Sequence, residues 1–302
     1  GNTVDEWVSK EEAHIIKGLI VGKKYKMTET KPADGYVTAE SIEFTVENTK
    51  EVQKHQMLDD VTKVEISKKD ITDSSEVPGA KLIILDKDGK KVESWTSTDK
   101  PHMVEKLPVG EYTLREEQAP DGYLIAEDVK FTVKDTGKVQ KIKMKDAHPY
   151  GKLVIKKTDS TSKTALPGAE FELREKESGK VVEKLVTDKT GTATSGKIPI
   201  ATYKNGKVEK TVEYILVETK APNGYELSSK KEEIRFEYKD GKTKVIEIVK
   251  EIKNTKSPSG STPTGNSPKT GDSTNIWLPI LLAVLSACGI GGVIWYKKKK
   301  GN

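Results

Sequence analysis

The sequence predicts an all-β protein of tandem antiparallel β-sandwich domains, followed by a flexible linker and a C-terminal transmembrane helix. Three observations predict it. Landmark residues recur at a period of roughly 87 residues, long for a solenoid and right for small domains in series. Short strand-like runs are separated by Gly, Pro and Asp turns, with no sustained helical period. Near the end of the chain, one apolar run is long enough to cross a bilayer as a helix.

The repeat sets the domain divisions. Trp7, His14, Leu19, Gly22 and Tyr25 are answered by Trp95, His102, Leu107, Gly110 and Tyr112, and Val52-Gln53-Lys54 by Val139-Gln140-Lys141. A more divergent copy carries Leu166-Pro167-Gly168-Ala169 where the earlier one has Val77-Pro78-Gly79-Ala80. The expected organisation is the back half of one domain over residues 1–60, then complete domains over 61–148 and 149–256. With no initiating Met, the chain reads as the C-terminal part of a longer product.

Within a complete unit, Val64-Glu65-Ile66, residues 81–85, Tyr112-Thr113-Leu114 and residues 130–133 read as strands. Asp86-Lys87-Asp88-Gly89, Pro108-Val109-Gly110 and Pro120-Asp121-Gly122 supply turns between them. Each unit reads as antiparallel, and a sandwich with Greek-key character accommodates such a series. Residues 257–275 are a Ser, Pro, Gly and Thr linker without core-forming residues. The apolar run spans 276–296, with Trp277 and Trp295 placed for the two interfaces, and residues 297–302 form a basic tail that marks the cytoplasmic side. Everything before the run is therefore read as extracellular. The one cysteine, Cys288, lies inside the run, so no disulfide is available to the small domains and another device must stabilise them.

Composition narrows the function. The chain is 33% charged and 6% aromatic, with a net charge of +5 spread over lysines interleaved with acids. It has no basic stripe of the kind that binds nucleic acid. His14, His55, His102 and His148 are dispersed, and no nucleophile, metal or phosphate motif accompanies them. A membrane-tethered enzyme therefore has little support, and neither a cofactor nor a metal is expected.

Alternation places charges on apolar faces. Lys68 follows Val64 and Ile66, and Lys157 follows Leu153 and Ile155. Glu116 follows Tyr112 and Leu114, and Glu218 follows Tyr214 and Leu216. Asp146 shares a face with Ile142 and Met144, and Asn254 with Ile248 and Ile252. Slipped register at strand ends would solvate any one of these groups. The same trio pointing inward in two domains calls for a specific role.

Two resemblances assign that role. Tyr112-x-Leu114-x-Glu116-x-x-Ala119-Pro120-x-Gly122-Tyr123 and Tyr214-x-Leu216-x-Glu218-x-x-Ala221-Pro222-x-Gly224-Tyr225 resemble the E-box of CnaB, or SpaA-type, prealbumin-like domains of surface adhesins and pilins. The resemblance implies an intramolecular isopeptide bond joining Lys68 to Asp146 with Glu116 as catalyst, and another joining Lys157 to Asn254 with Glu218. Lys69 and Lys156 are adjacent alternatives, but Lys68-x-Asp70 and Lys157-x-Asp159 match the Lys-x-Asp pattern of those domains. In the leading unit Glu29 and Asp59 occupy the corresponding places as an orphan partial site, its E-box altered to Pro32-Ala33-Asp34-Gly35-Tyr36 and its lysine expected upstream. The second resemblance covers Ser267-Pro268-Lys269-Thr270-Gly271, the apolar run and the basic tail, which together resemble the sorting signal of Gram-positive cell-wall proteins. It implies that a sortase cuts after Thr270 and passes it to peptidoglycan, although Ser267 stands where that signal usually has Leu.

The function expected from both is a cell-wall-anchored structural stalk of a surface adhesin or minor pilin. It would pass through a single-pass membrane intermediate and meet other pilin subunits or host surface ligands through upstream domains. The alternatives are a sortase-polymerised backbone pilin and a plain single-pass membrane protein.

Overall fold

The computed structural model describes residues 1–258. The expected sorting motif (267–271), membrane span (276–296) and basic tail (297–302) lie outside the described residues. Among those described, every regular element is a strand, and no helix is long and apolar enough to cross a membrane.

The leading segment contributes an antiparallel pair, β1 (Lys24–Met27) and β2 (Ile42–Thr45). The next seven strands are β3 (Lys63–Asp70), β4 (Lys81–Asp86), β5 (Lys91–Thr96), β6 (His102–Glu105), β7 (Gly110–Gln118), β8 (Val129–Val133) and β9 (Val139–Asp146). They form two sheets, ordered β6-β3-β9 and β5-β4-β7-β8. The inward residues of both sheets meet in one core, in which Val64 and Ile66 from β3 pack with Leu82, Ile84, Leu114, Phe131 and Met144. Period-two alternation is what delivers them, since the odd-numbered positions of β3 up to Glu65 lie further out.

The pattern recurs with β10 (Tyr150–Asp159), β11 (Glu170–Glu175), β12 (Val181–Val186), β13 (Thr192–Thr194), β14 (Ile198–Pro199), β17 (Glu213–Lys220), β18 (Lys231–Arg235) and β19 (Val245–Asn254). One sheet is ordered β12-β11-β17-β18, and in the other β10 pairs with β13, β14 and β19. Gly151 on β10 is required by packing: a Cβ there would lie 2.4 Å from the Phe236 ring, which is fully buried and contributes about 2 to 3 kcal/mol by leaving water.

Two features depart from the sequence reading. The units are not purely antiparallel, because first and last strands run side by side in the same direction: β3 with β9 from Lys63↔Val139 to Asp70↔Asp146, and β10 with β19 from Tyr150↔Val245 to Asp159↔Asn254. Strand direction depends on how the chain crosses between sheets, which the period of a single strand does not encode. The third unit also carries an extra hairpin, β15 (Ala201–Lys204) and β16 (Lys207–Thr211). Asn205 and Gly206 close it at φ 52° and 68°, the positive angles that a two-residue Asn-Gly turn needs.

Candidate functional site

The parallel pairs create the site. Lys68 lies opposite Met144, so the next residue on that face of β9 is Asp146. Lys157 lies opposite Ile252, with Asn254 one step further on β19. In both units the glutamate comes from the facing sheet, Glu116 from β7 and Glu218 from β17. All six side chains are buried, with Lys68 1% and Lys157 0% exposed. Lysine is almost never so enclosed without a partner.

In the middle unit Lys68 Nζ donates to Asp146 Oδ1 in a very close contact and lies 3.1 Å from Glu116 Oε2. Glu116 Oε2 also accepts the Ala126 N–H at 2.6 Å. The remaining oxygens, Glu116 Oε1 and Asp146 Oδ2, are buried and have no hydrogen-bond partner among the described residues. Burial pushes the Asp146 carboxyl up to about 7; Lys68 pulls against that rise, and the nearby Glu116 charge adds to it. The cluster thus sets one amine against two carboxyl groups, and burial favours the neutral, protonated form of Asp146.

In the third unit Lys157 Nζ donates to Asn254 Oδ1, again in a very close contact, and lies 3.0 Å from Glu218 Oε1. The Asn254 amide donates from Nδ2 to both Glu218 oxygens, at 3.0 and 3.1 Å, an orientation that satisfies the whole network. The Ser228 N–H holds Glu218 Oε2 at 2.9 Å. Burial lowers the Lys157 pKa below the ordinary lysine value, with Glu218 opposing it. Both clusters place an amine against the Oδ1 of an Asp or Asn side chain beside a buried glutamate, in a site closed to water. Such an arrangement is suited to amide formation.

The neighbouring lysines point elsewhere. Lys69 pairs with Glu76 at 2.8 Å near the surface, and Lys156 is exposed. In the leading segment Glu29 accepts the Ala39 N–H at 2.7 Å, the same ten-residue closure that Glu116 and Glu218 make. Asp59 is exposed, and no hydrogen bond joins it to Glu29 among the described residues.

A family model described as the SpaA prealbumin-like fold domain matches residues 1–60, 62–148 and 151–252. The chain belongs to the SpaA prealbumin-like domain family. No curated protein matches it. Among solved structures, the Bacillus anthracis TIE protein is similar at 24% identity and a TM-score of 0.50, over 77% of this chain and 42% of that one. This chain thus spans less than half the length of that relative, and the likeness is one of fold. A streptococcal ancillary pilin matches at 19% identity and a TM-score of 0.30, covering 79% of this chain and 76% of the pilin. The major pilin SpaD from Corynebacterium diphtheriae matches at 15% identity and a TM-score of 0.29, covering 65% and 98%.

Both complete SpaA units contain a second contact that sequence reasoning missed. Tyr123 Oη donates to Asp70 Oδ2 at 2.7 Å, and Tyr225 Oη to Asp159 Oδ2 at 3.0 Å. This ties the end of the E-box to the strand two residues beyond the lysine. Burial would raise the Asp70 pKa, but hydrogen bonds from Thr72, Tyr123 and His148 bring it down to about 2. Asp159 also falls to about 2, held chiefly by the Ser162 and Thr161 N–H groups. The signal was present in the sequence as Lys-x-Asp and Gly-Tyr at repeated positions, but nothing local says that the two meet. The four histidines stack on aromatic rings in these SpaA units: His14 on Trp7, His55 on Phe44, His102 on Trp95 and His148 on Tyr203. Among the described residues no His, Cys, Asp or Glu group is arranged to hold a metal.

Proposed function

We propose that this chain is a cell-wall-anchored structural stalk, the membrane-proximal part of a surface adhesin or minor pilin, whose two complete SpaA units are each closed by an intramolecular isopeptide bond. The observation that carries the reading is the duplicated burial of a lysine amine against an Asp or Asn side chain beside a glutamate. In the middle unit the free amine of Lys68 attacks Cγ of the neutral Asp146 acid. Glu116 takes a proton from Nζ and delivers one to the departing hydroxyl, so an amide forms and one water leaves. In the third unit the Asn254 amide nitrogen is the leaving group, protonated by way of Glu218, and one ammonia leaves. Neither reaction needs a cofactor, and each occurs once per unit.

The location of the bond suits a load-bearing stalk. Force entering β3 passes at Lys68 directly to Asp146 and leaves through β9, so the chain between them, a sequence separation of 78 residues, carries no tension. The third unit shields a separation of 97 residues in the same way. Wall attachment is supported by the sorting-signal resemblance of residues 267–302.

Two measurements test the proposal. The intact mass of residues 1–258 is expected to fall short of the sequence mass by one water and one ammonia, with cross-linked peptides joining Lys68 to Asp146 and Lys157 to Asn254; an unshortened mass, or links between other residues, overturns the cross-linking. In cells, the protein is expected in the wall fraction and Thr270→Ala in the membrane fraction. Wild-type protein that keeps its basic tail and extracts with detergent would show a plain single-pass protein.

A further inference from the structure

Resting on the cross-linking reading above, we infer that the middle unit's cross-linking site is completed by the unit that follows it: the hairpin β15–β16 is a clasp, and closure of the Lys68–Asp146 bond depends on it. The loop that follows Glu116 returns to hold that carboxylate through the Ala126 N–H. The Leu124 N–H of this loop donates within its own unit to Ala147 O at 2.9 Å, and three other backbone groups find their partners in the third unit. Gly122 O accepts from Tyr203 Oη at 2.8 Å, Tyr123 O accepts from Tyr238 Oη at 3.1 Å, and the Ile125 N–H donates to Gly241 O at 2.7 Å.

The hairpin reaches the lysine side as well. At its tip Gly206 is seated on Glu76 and Val77, where a Cβ would lie 1.8 Å from Glu76 O. That segment is bonded to the lysine's own backbone: the Val77 N–H donates to Lys68 O at 2.8 Å, and Glu76 Oε2 accepts the Lys68 N–H at 3.0 Å. Between the two sides Tyr203 stacks flat on His148, with centroids 3.5 Å apart and planes at 3°, and meets the Tyr123 ring edge-on at 5.2 Å. Val77, Ala119 and Tyr123 form a separate small core against which Ile125 and Tyr203 pack. The clasp therefore grips both the strand that carries the nucleophile and the loop that aims the acid.

The third unit supplies the contrast. Its corresponding loop repeats one bond of the middle unit, the Glu226 N–H on Thr255 O at 3.0 Å matching Leu124 on Ala147, but Gly224 O, at the place of Gly122 O, accepts from the Ser257 N–H at 3.0 Å just past its own last strand. Leu227, at the place of the packed Ile125, is 56% exposed. Its cross-link has no such dependence and serves as an internal control.

The test uses the full chain, held unfolded in urea before any bond has formed and then refolded, with each cross-linked peptide followed over time. In one variant residues 201–211 are replaced by a two-residue Asn-Gly turn, which the hydrogen bond from the Val212 N–H to Ile200 O, at 3.0 Å, allows to close. In the other, Tyr203→Ala removes the stack and the bond to Gly122 while the hairpin remains. The expected result is that Lys68–Asp146 closure slows by about tenfold or more in Tyr203→Ala, the effect of losing one hydrogen bond and two ring contacts, and by more again in the shortened chain, while Lys157–Asn254 closure keeps its rate. Wild-type rates for Lys68–Asp146 in Tyr203→Ala overturn the clasp and leave the cross-linking reading intact. A wild-type chain that forms neither bond overturns both.

Discussion

In the proposed reaction, replacing Glu116 with Gln removes the proton carrier from the middle unit and little else. The side chain keeps its length, and its amide oxygen can still accept the Ala126 N–H that Glu116 Oε2 accepts at 2.6 Å. Lys68 and Asp146 then remain side by side as separate groups. The proposed cross-link that would be lost spans 78 residues, which in the chain-entropy treatment of cross-links corresponds to about 4.5 kcal/mol at 25 °C. For a domain of this size each kcal/mol moves the melting temperature by roughly 4 to 8 °C, so the middle unit is expected to melt roughly 20 to 35 °C lower. Mass spectrometry and calorimetry of the same sample make the assay. Residues 1–258 carrying Glu116→Gln should regain one water in mass and show one lowered transition, with the Lys157–Asn254 peptide still cross-linked. Glu218→Gln should do the converse, regaining one ammonia, and the 97-residue separation corresponds to about 4.7 kcal/mol. If Glu116→Gln retains the full mass deficit, Glu116 is not the proton carrier. If the link is lost and the melting temperature moves by only a few degrees, the loop-entropy account of its stabilising effect is wrong.

Two further predictions concern pH. The folded, unlinked middle unit holds Asp146 at about 7, above its unfolded value, so it binds a proton that the unfolded chain has released and its stability falls as pH rises from about 4 through 7. In the proposed reaction the neutral acid is also the electrophile, so Lys68–Asp146 closure during refolding should slow as pH rises through about 7, whereas closure at Asn254, whose amide does not ionise, should not show that step; matching profiles for the two peptides would refute the assignment. Asp70 has the opposite sign. Its pKa of about 2 gives stability that is complete above about pH 4 and is lost as pH falls toward 2. In an unlinked Glu116→Gln background, urea midpoints of the Asp70 and Asp70→Asn forms should therefore differ at pH 7 and converge near pH 2; a constant gap would rule out ionised Asp70, held by Thr72, Tyr123 and His148, as its source.

The sequence by itself determined which way these residues face. A strand turns successive side chains to opposite sides, so Val64 and Ile66 carry Lys68 inward, Tyr112 and Leu114 carry Glu116, and Met144 carries Asp146. The repeat of the same trio at Lys157, Glu218 and Asn254 marked it as an inward-facing set rather than frayed register, and all six side chains are buried. Asn205-Gly206 and the Gly-Tyr ends of the E-box were equally visible, but what they touch was not. Local periodicity specifies a face and leaves the neighbour open, because a neighbour depends on how distant segments cross. Only the tertiary structure decided that β3 and β9 run parallel with Lys68 opposite Met144, which sets Asp146 one step along from the amine. It alone placed Tyr123 on Asp70 and laid the β15–β16 hairpin against Glu76 and Gly122 of the preceding unit. Those contacts join residues tens of positions apart, and they exist because two sheets close over a shared core and hold one partner of each pair where the other arrives.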